Sequence, residues 1–353
     1  VEIVEAWASV ASPELEVVAR PLSDGGDGFI DVVRYYRPHV LDVRARVRDP
    51  LGRSTDAQWG WDPEHETVYL ESAAAVGLAN LGPAERNPLD VDSFGVGQLI
   101  ACAGGLGARR LVIGLGGSAT VDGGFGMARA LGYRFRDRRG GLIVRTGDLA
   151  NLARIEPPDE RLLTDGVEVT AVVDVTNPLL GPSGAAAVFG PQKGADRAAT
   201  ERLETGLTVL ASRWIADLGV SADVVDSTGH GAAGGLGAGC RAFLGAQIAL
   251  GAQWVTELAR LGKALDRADG VVTGEGRFDD QSGSGKVIGY VVDEASRRTL
   301  PAVVICASST LTQSPLGATI VAGGRISKPR PAAELSLADL IELFRVAVAE
   351  LGF

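Results

Sequence analysis

Several short segments of this chain set carboxylates, hydroxyls or a lysine beside glycines or a proline. Pro21–Gly28 (PLSDGGDG) places Ser23, Asp24, Gly25, Gly26 and Asp27 after an expected strand, where open α/β sheets bind ligands. An acidic turn capping a helix fits the same residues. Gly114–Gly124 (GLGGSATVDGG) follows an apolar run and precedes a helix. Free amides at Gly116 and Gly117 could cradle phosphate oxygens, with Ser118 and Thr120 as further donors. Asp122 could hold Mg2+. A tight packing turn is the alternative.

Asp174–Leu179 (DVTNPL) puts a carboxylate at a strand end, and Pro178 pushes Asn177 toward an extended backbone. Asp174 could be a general base on an acceptor hydroxyl, a metal ligand, or a turn cap. Lys193, in Phe189–Gly194 (FGPQKG), could neutralise a phosphate or carboxylate, or be solvated. The richest segment is Thr273–Lys286 (TGEGRFDDQSGSGK). Thr273, Gly274 and Gly276 line it, Glu275 and Asp279 could serve Mg2+, and Arg277 and Lys286 could meet charged ligands. It is not a Walker loop, because Asp280 stands where the first glycine is required and Val287 follows Lys286.

Asp174, Glu275 and Lys286 are therefore the candidate catalytic residues, and Asp122, Asp174 and Asp279 the candidate metal ligands. Phosphoryl transfer suits such a set, since its catalysis is mostly positioning and charge neutralisation. Gly229–Gly234 (GHGAAG) formally fits a dinucleotide loop but lies deep in the chain, with no ribose-binding acid at the expected spacing. It reads as close helix packing or a phosphate-side amide loop. Serine-triad chemistry fits poorly, as no histidine follows Ser282 or Ser284.

The elements that must position these residues alternate at both ends. Helices are expected at Val1–Ala11, Phe29–Tyr36, Ser93–Gly104, Phe125–Leu131, Ala195–Leu218, Ala233–Leu250, Glu257–Ala264, Gly285–Arg298 and Leu337–Leu351. Strands are expected at Leu15–Arg20, Val40–Val47, Ser54–Trp61, Thr67–Ser72, Arg110–Gly114, Val167–Val175, Gly270–Thr273, Ala302–Ala307 and Thr319–Val321. The pattern predicts a doubly wound α/β domain interrupted by a mixed insertion.

Composition narrows the partners. The chain has 353 residues, 46% apolar and 22% charged, with 34 Lys plus Arg against 44 Asp plus Glu. A net charge of −10 argues against nucleic acid but not against a small anion held locally. Cys102, Cys240 and Cys306 lack CxxC spacing and read as reduced thiols of a cytoplasmic protein. His39, His65 and His230 show no metal spacing. No signal peptide stands out, and no apolar run reaches the roughly 18 residues of a membrane span.

Together the segments resemble the bacterial glycerate kinase family of the glyoxylate-pathway type, from Pro21 to about Ala307. The carriers, in order, are PLSDGGDG, ERNPL at Glu85–Leu89, GLGGSATVDGG, DVTNPLLGPSGAAAVFGPQKGA, GHGAAGGLGAG and TGEGRFDDQSGSGKV. The resemblance implies a flavodoxin-like domain, residues 1–42 and 260–353, interrupted by an α/β domain resembling a restriction-endonuclease fold, residues 43–259. It also implies ATP, Mg2+ and D-glycerate meeting in a cleft between the domains, with 2-phosphoglycerate favoured as product. Monomer and homodimer both stay open.

The sequence departs from the family pattern at Val121 (Asn), Asn87 (Asp) and Val96-Gly97-Gln98 (Thr-Gly-Glu). It opens on a helix rather than on the first strand and its Lys- and Ser-bearing loop. Val1 reads as an alternative start, a trimmed end or the loss of an upstream segment. A weakly active or non-catalytic ligand-binding relative is the alternative function.

Overall fold

The computed structural model describes the chain except Ser12, Asp27, Arg161, Leu162, Thr164, Asp165, residues 279–286, 310–317 and 323–336, and Phe353; the side chains of 275–278, 307–309, 322 and 337 also lie outside the described residues. It forms two compact units, Val1–Ser23 with Gly251–Phe353, and Asp24–Leu250.

The chain opens with α1 (Glu2–Ser9), then enters the larger unit with α2 (Phe29–Tyr36). An antiparallel meander follows, β1 (Leu41–Arg48), β2 (Ser54–Asp62) and β3 (Thr67–Glu71). Next come α3 (Ser72–Val76), α4 (Phe94–Gly104), β4 (Arg110–Leu115), α5 (Phe125–Ala130), β5 (Arg134–Asp137), β6 (Leu152–Glu156) and β7 (Glu168–Val173). The unit closes with α6 (Ala185–Phe189), α7 (Arg197–Leu218), α8 (Ala232–Leu244) and β8 (Gln247–Leu250). The main sheet has the order β1-β2-β3-β4-β7-β8, and its β3, β4, β7 and β8 run parallel.

Local signals explain most of these elements. Asp196 caps α7 by accepting the Ala199 amide at 2.7 Å, and Gly219 ends it at φ 69°. Leu203, Leu207, Leu210 and Trp214 recur at helical spacing and form its buried face. β4 is buried from Leu111 to Leu115, as a strand with neighbours on both sides must be. On α8, Cys240 is fully buried with its Sγ 4.0 Å from Met127 Sδ of α5, and burial pushes its thiol up to about 12.

Two expectations are corrected and one strand pair is added. Leu15–Arg20 joins no ladder among the described residues, and Val17 and Val18 are exposed; apolar content cannot make a strand without a pairing edge. The helix expected to run to Leu250 stops at Gly245, whose φ of 68° caps it, and Gln247–Leu250 pairs with β7 instead. The antiparallel pair β5–β6 was not anticipated.

The smaller unit continues with α9 (Gly251–Leu258), α10 (Leu261–Leu265), β9 (Val271–Phe278), α11 (Val287–Ser296), β10 (Ala302–Ser309), β11 (Thr319–Ala322) and α12 (Leu337–Glu350). Its sheet is parallel, in the order β11-β10-β9. Side chains of β10 alternate by the period of a strand. Val303 and Ile305 pack with Trp7, Leu343 and Phe344, while Val304 and Cys306 pack with Ile288 and Val292 of α11. Helices thus cover both faces.

Trp7 stacks on Phe344 at 5.6 Å between ring centroids and donates its indole N–H to Leu340 O at 3.0 Å. Trp7→Phe loses that bond and part of the buried ring, an expected destabilisation of about 2 kcal/mol. A urea midpoint equal to the parent's would show that α1 does not hold this unit together.

Candidate functional site

The carboxyl ends of β4 and β7 carry the larger unit's candidate loops side by side. A Cβ on Gly114 would stand 2.5 Å from Gly25 O, and one on Gly116 would stand 2.5 Å from Gly26 Cα. Backbone therefore lies directly on backbone, and alanine at either position would drive the loops apart. Gly25 is held at φ 96° over Val172 of β7. Asp24 Oδ1 accepts the Gly26 amide at 3.1 Å, which folds the turn. The Gly116–Ala119 loop is pinned from beneath: Leu78 N donates to Gly117 O and Ala119 N to Val76 O, both at 2.8 Å.

Lys193 enters this layer from the turn Pro191–Lys193. Gly194 follows at φ 97°, and a Cβ there would meet Arg86 O at 2.1 Å, so the turn requires glycine. The Lys193 side chain is buried, and its Nζ donates to Thr120 O at 2.8 Å and Ser118 Oγ at 3.1 Å. Burial pulls its ammonium down to about 7, against the opposing pull of Asp122 and Asp174. Thr120 Oγ1 is buried with no hydrogen-bond partner among the described residues. An unmatched hydroxyl, a buried amine and a glycine cradle suit an anionic oxygen ligand.

The depressed lysine has a consequence for stability. Between its folded value of about 7 and its ordinary 10.5, the unfolded chain binds more protons than the folded one. The unfolding free energy should therefore rise with pH across that window, by at most about 1.4 kcal/mol per unit, and this contribution is flat below it. Urea melts at alkaline and neutral pH, compared between the parent and Lys193→Met, isolate the lysine. Equal pH slopes in the two proteins would exclude a buried, depressed Lys193.

Asp122 is fully buried and its carboxylate is already engaged. Oδ2 accepts from Ser93 N (2.8 Å), Ser93 Oγ (2.8 Å) and Gly126 N (2.9 Å), and Oδ1 accepts from Gly124 N (3.1 Å). It anchors the starts of α4 and α5. Ser93, absent from the sequence-based site, completes this anchor by accepting the Met127 amide at 2.9 Å. Its place just before α4 was the available signal.

Asp174 follows β7 and is half-buried, while Asn177 Nδ2 donates to Ser183 O at 2.8 Å. The glycine-rich start of α8 packs over both loops. Ala233, Gly234 and Gly235 take φ of 52°, 69° and 86°, and a Cβ on Gly234 would stand 1.9 Å from Thr120 O. A Cβ on Gly231 would stand 2.3 Å from Pro178 O, so Gly229–Gly234 serves close packing. His230 donates through Nδ1 to Val224 O at 2.7 Å, and burial lowers its pKa.

The departures at Val121 and Gln98 also have local roles. Val121 is core, and Gln98 Oε1 accepts the Arg48 amide at 2.8 Å. Asn87 Nδ2 donates to Asp90 Oδ2 at 2.6 Å.

Ser23 lies in the extended segment that ends the first stretch of the smaller unit. In the same unit, Thr273 and Gly274 lie on β9, where a Cβ on Gly274 would meet Ile305 O at 2.8 Å and the Trp7 ring at 3.1 Å. Glu275, Gly276 and Arg277 continue the β9 backbone, opposite Cys306–Ser308 of β10; their side chains lie outside the described residues. Asp279 and Lys286 lie wholly outside them.

Parallel strands ending in glycine cradles, with a buried lysine beside them, define a mixed α/β protein. The profile of the glycerate kinase family matches residues 1–341, and the chain belongs to that family. It is 38% identical over 301 residues to glycerate 2-kinase of Escherichia coli K12, covering 84% of this chain and 78% of that one. Glycerate kinase of Haemophilus influenzae is 38% identical over 296 residues, covering 83% and 77%. A crystal structure described as glycerate kinase 2 from Salmonella typhimurium LT2 superposes with a TM-score of 0.77 at 37% identity, covering 99% of this chain and 92% of that one. Among the described residues no helix is long and apolar enough to cross a membrane.

Proposed function

We propose that the chain is a glycerate kinase that moves the γ-phosphoryl group of ATP onto a hydroxyl of D-glycerate, giving 2-phosphoglycerate. Beyond family membership, the observation that carries this reading is Lys193, whose buried Nζ rests on Ser118 and Thr120 beside a backbone-on-backbone glycine cradle. The amides of Gly116 and Gly117, the Ser118 and Thr120 hydroxyls and Lys193 would bind phosphate oxygens. Thr120 Oγ1 is the group left over for such a ligand.

Asp24 and Asp174 are half-buried carboxylates beside the end of β7, oxygen donors of the kind Mg2+ prefers. When bound, Mg2+ neutralises the charge that spreads over the transferred phosphoryl group. Asp174 would take the proton of the acceptor hydroxyl or hold Mg2+, and Asp279 and Glu275 are further candidates for the cation. Asp122, with its hydrogen bonds already made, would shape the cradle rather than bind metal. Ser23, Asn177, Thr273, Gly274, Gly276, Arg277 and Lys286 complete the ligand-facing set in this reading. The smaller unit would be flavodoxin-like, which its helix-covered parallel sheet supports, and the larger a restriction-endonuclease-like insertion. The cell compartment would be the cytoplasm.

The test is coupled ADP release with MgATP and D-glycerate, with the product identified by phosphorus NMR. Glycerate-dependent release with the phosphate on the 2-oxygen is expected. Release no faster than without glycerate would sink the reading. A 3-phosphate product would correct its regiochemistry.

A further inference from the structure

The opposite end of the larger unit's sheet holds a second polar cluster. The turn joining β2 to β3 lies at the amino end of β3, away from the strand ends that carry the cradle. Asp62, at the close of β2, is fully buried. Its Oδ1 accepts the His65 amide at 3.0 Å, and its Oδ2 lies 2.9 Å from His65 Nδ1 and accepts from Arg37 Nη1 at 3.2 Å. His39, in the connection from α2 to β1, brings its ring to 5.6 Å from that of His65.

One atom in the cluster has no satisfactory partner. His39 Nε2 is buried and makes no well-aligned hydrogen bond among the described residues, although Asp62 Oδ1 is 3.2 Å away and Glu64 Oε2 is 3.8 Å away. A ring nitrogen set between two carboxylates, out of line for a proton to either, is where a cation would sit. His39, Glu64 and His65 each offer a donor atom, all within 4.8 Å of one another.

We propose that His39, Glu64 and His65 form a site for a divalent transition-metal ion of the Zn2+ class, with Asp62 as the outer carboxylate that orients His65. Imidazole with carboxylate suits Zn2+, whereas Mg2+ prefers oxygen alone, so the site is distinct from the cation of phosphoryl transfer. A ligating histidine commonly holds its second ring nitrogen on a carboxylate, which fixes tautomer and orientation; Asp62 stands in that position for His65. Bond lengths of about 2.0–2.2 Å set tetrahedral donors about 3.5 Å apart, so donors now up to 4.8 Å apart must close up on the ion. The Glu64 side chain is exposed and free of packing, and is the donor that moves most readily. The ion would clip the far end of α2 to the β2–β3 turn. Two of the chain's three histidines meet here from positions 39 and 65, a distance that hid them in the sequence.

The experiment is a Zn2+ titration of the metal-free chain against a chromophoric chelator, without ATP or glycerate and with Cys102 alkylated throughout. One equivalent is expected to bind. Glu64→Gln should weaken it about 10-fold, and His39→Gln with His65→Gln at least about 100-fold. Circular dichroism of each metal-free variant should match the parent, and Glu64→Gln, on an exposed side chain, guards against a folding artefact. No binding, uptake that never saturates at one equivalent, or unchanged affinity in the double variant would overturn the site.

Discussion

Lys193→Met should lower glycerate-dependent turnover by about 100- to 1,000-fold while leaving the chain folded. The methionine occupies a similar volume and relieves the desolvation of a buried ammonium, a penalty on the order of several kcal/mol. It also leaves Ser118 Oγ and Thr120 O without this donor, at about 1–3 kcal/mol for each buried group. The two effects roughly offset, so stability and activity separate in this variant. Measuring kcat/KM for ATP alongside a thermal melt resolves them. Turnover within about threefold of the parent would take Lys193 out of the phosphate site. Lost activity with a melting point far below the parent's would make it a structural lysine.

Asp122→Ala should be the most damaging change to stability, at about 4 kcal/mol or more. It strips partners from the buried amides of Ser93, Gly124 and Gly126 and from the Ser93 hydroxyl in one step. Asp122→Asn keeps the shape but points an amide N–H2 at N–H donors, and about half the loss is expected. Were Asp122 chiefly a metal ligand, both variants would fold normally and differ from the parent only in the Mg2+ concentration needed for activity. Denaturant melts without Mg2+ therefore decide between the two roles.

The contrast between these residues shows what the sequence could and could not supply. Helix and strand positions were legible where periodicity met a stop signal, as at Asp196 and Gly219 around α7 or at the turn between β1 and β2. They failed where the deciding contact was remote. Leu15–Arg20 has a strand's composition and no pairing partner among the described residues, and Gln247–Leu250 is a strand because β7 offers an edge. The glycine loops were legible as places of close approach, and Gly114, Gly116 and Gly234 each meet backbone. Environment was not legible. FGPQKG leaves Lys193 open between a ligand-facing and a solvated lysine, and only the tertiary fold drops it onto Thr120. Nothing in GGSATVDGG tells that Asp122 spends its oxygens on Ser93, Gly124 and Gly126. His39 and His65 meet through the pairing of β1 with β2, a long-range property.

The placement of the cysteines gives each unit its own clock. Cys102 is exposed and will react with an alkylating reagent at once. Cys240 sits in the larger unit and Cys306 in the smaller, both buried. A reagent reaches Cys240 when the packing that holds α8 on α5 opens, and Cys306 when the packing between α11 and β10 does. Where reclosing is faster than alkylation, each labelling rate reports an opening equilibrium. Peptide mass spectrometry during slow alkylation would then read two opening free energies from one sample. Equal values would mean that the units unfold as one cooperative body; unequal values would show which of them gives way first.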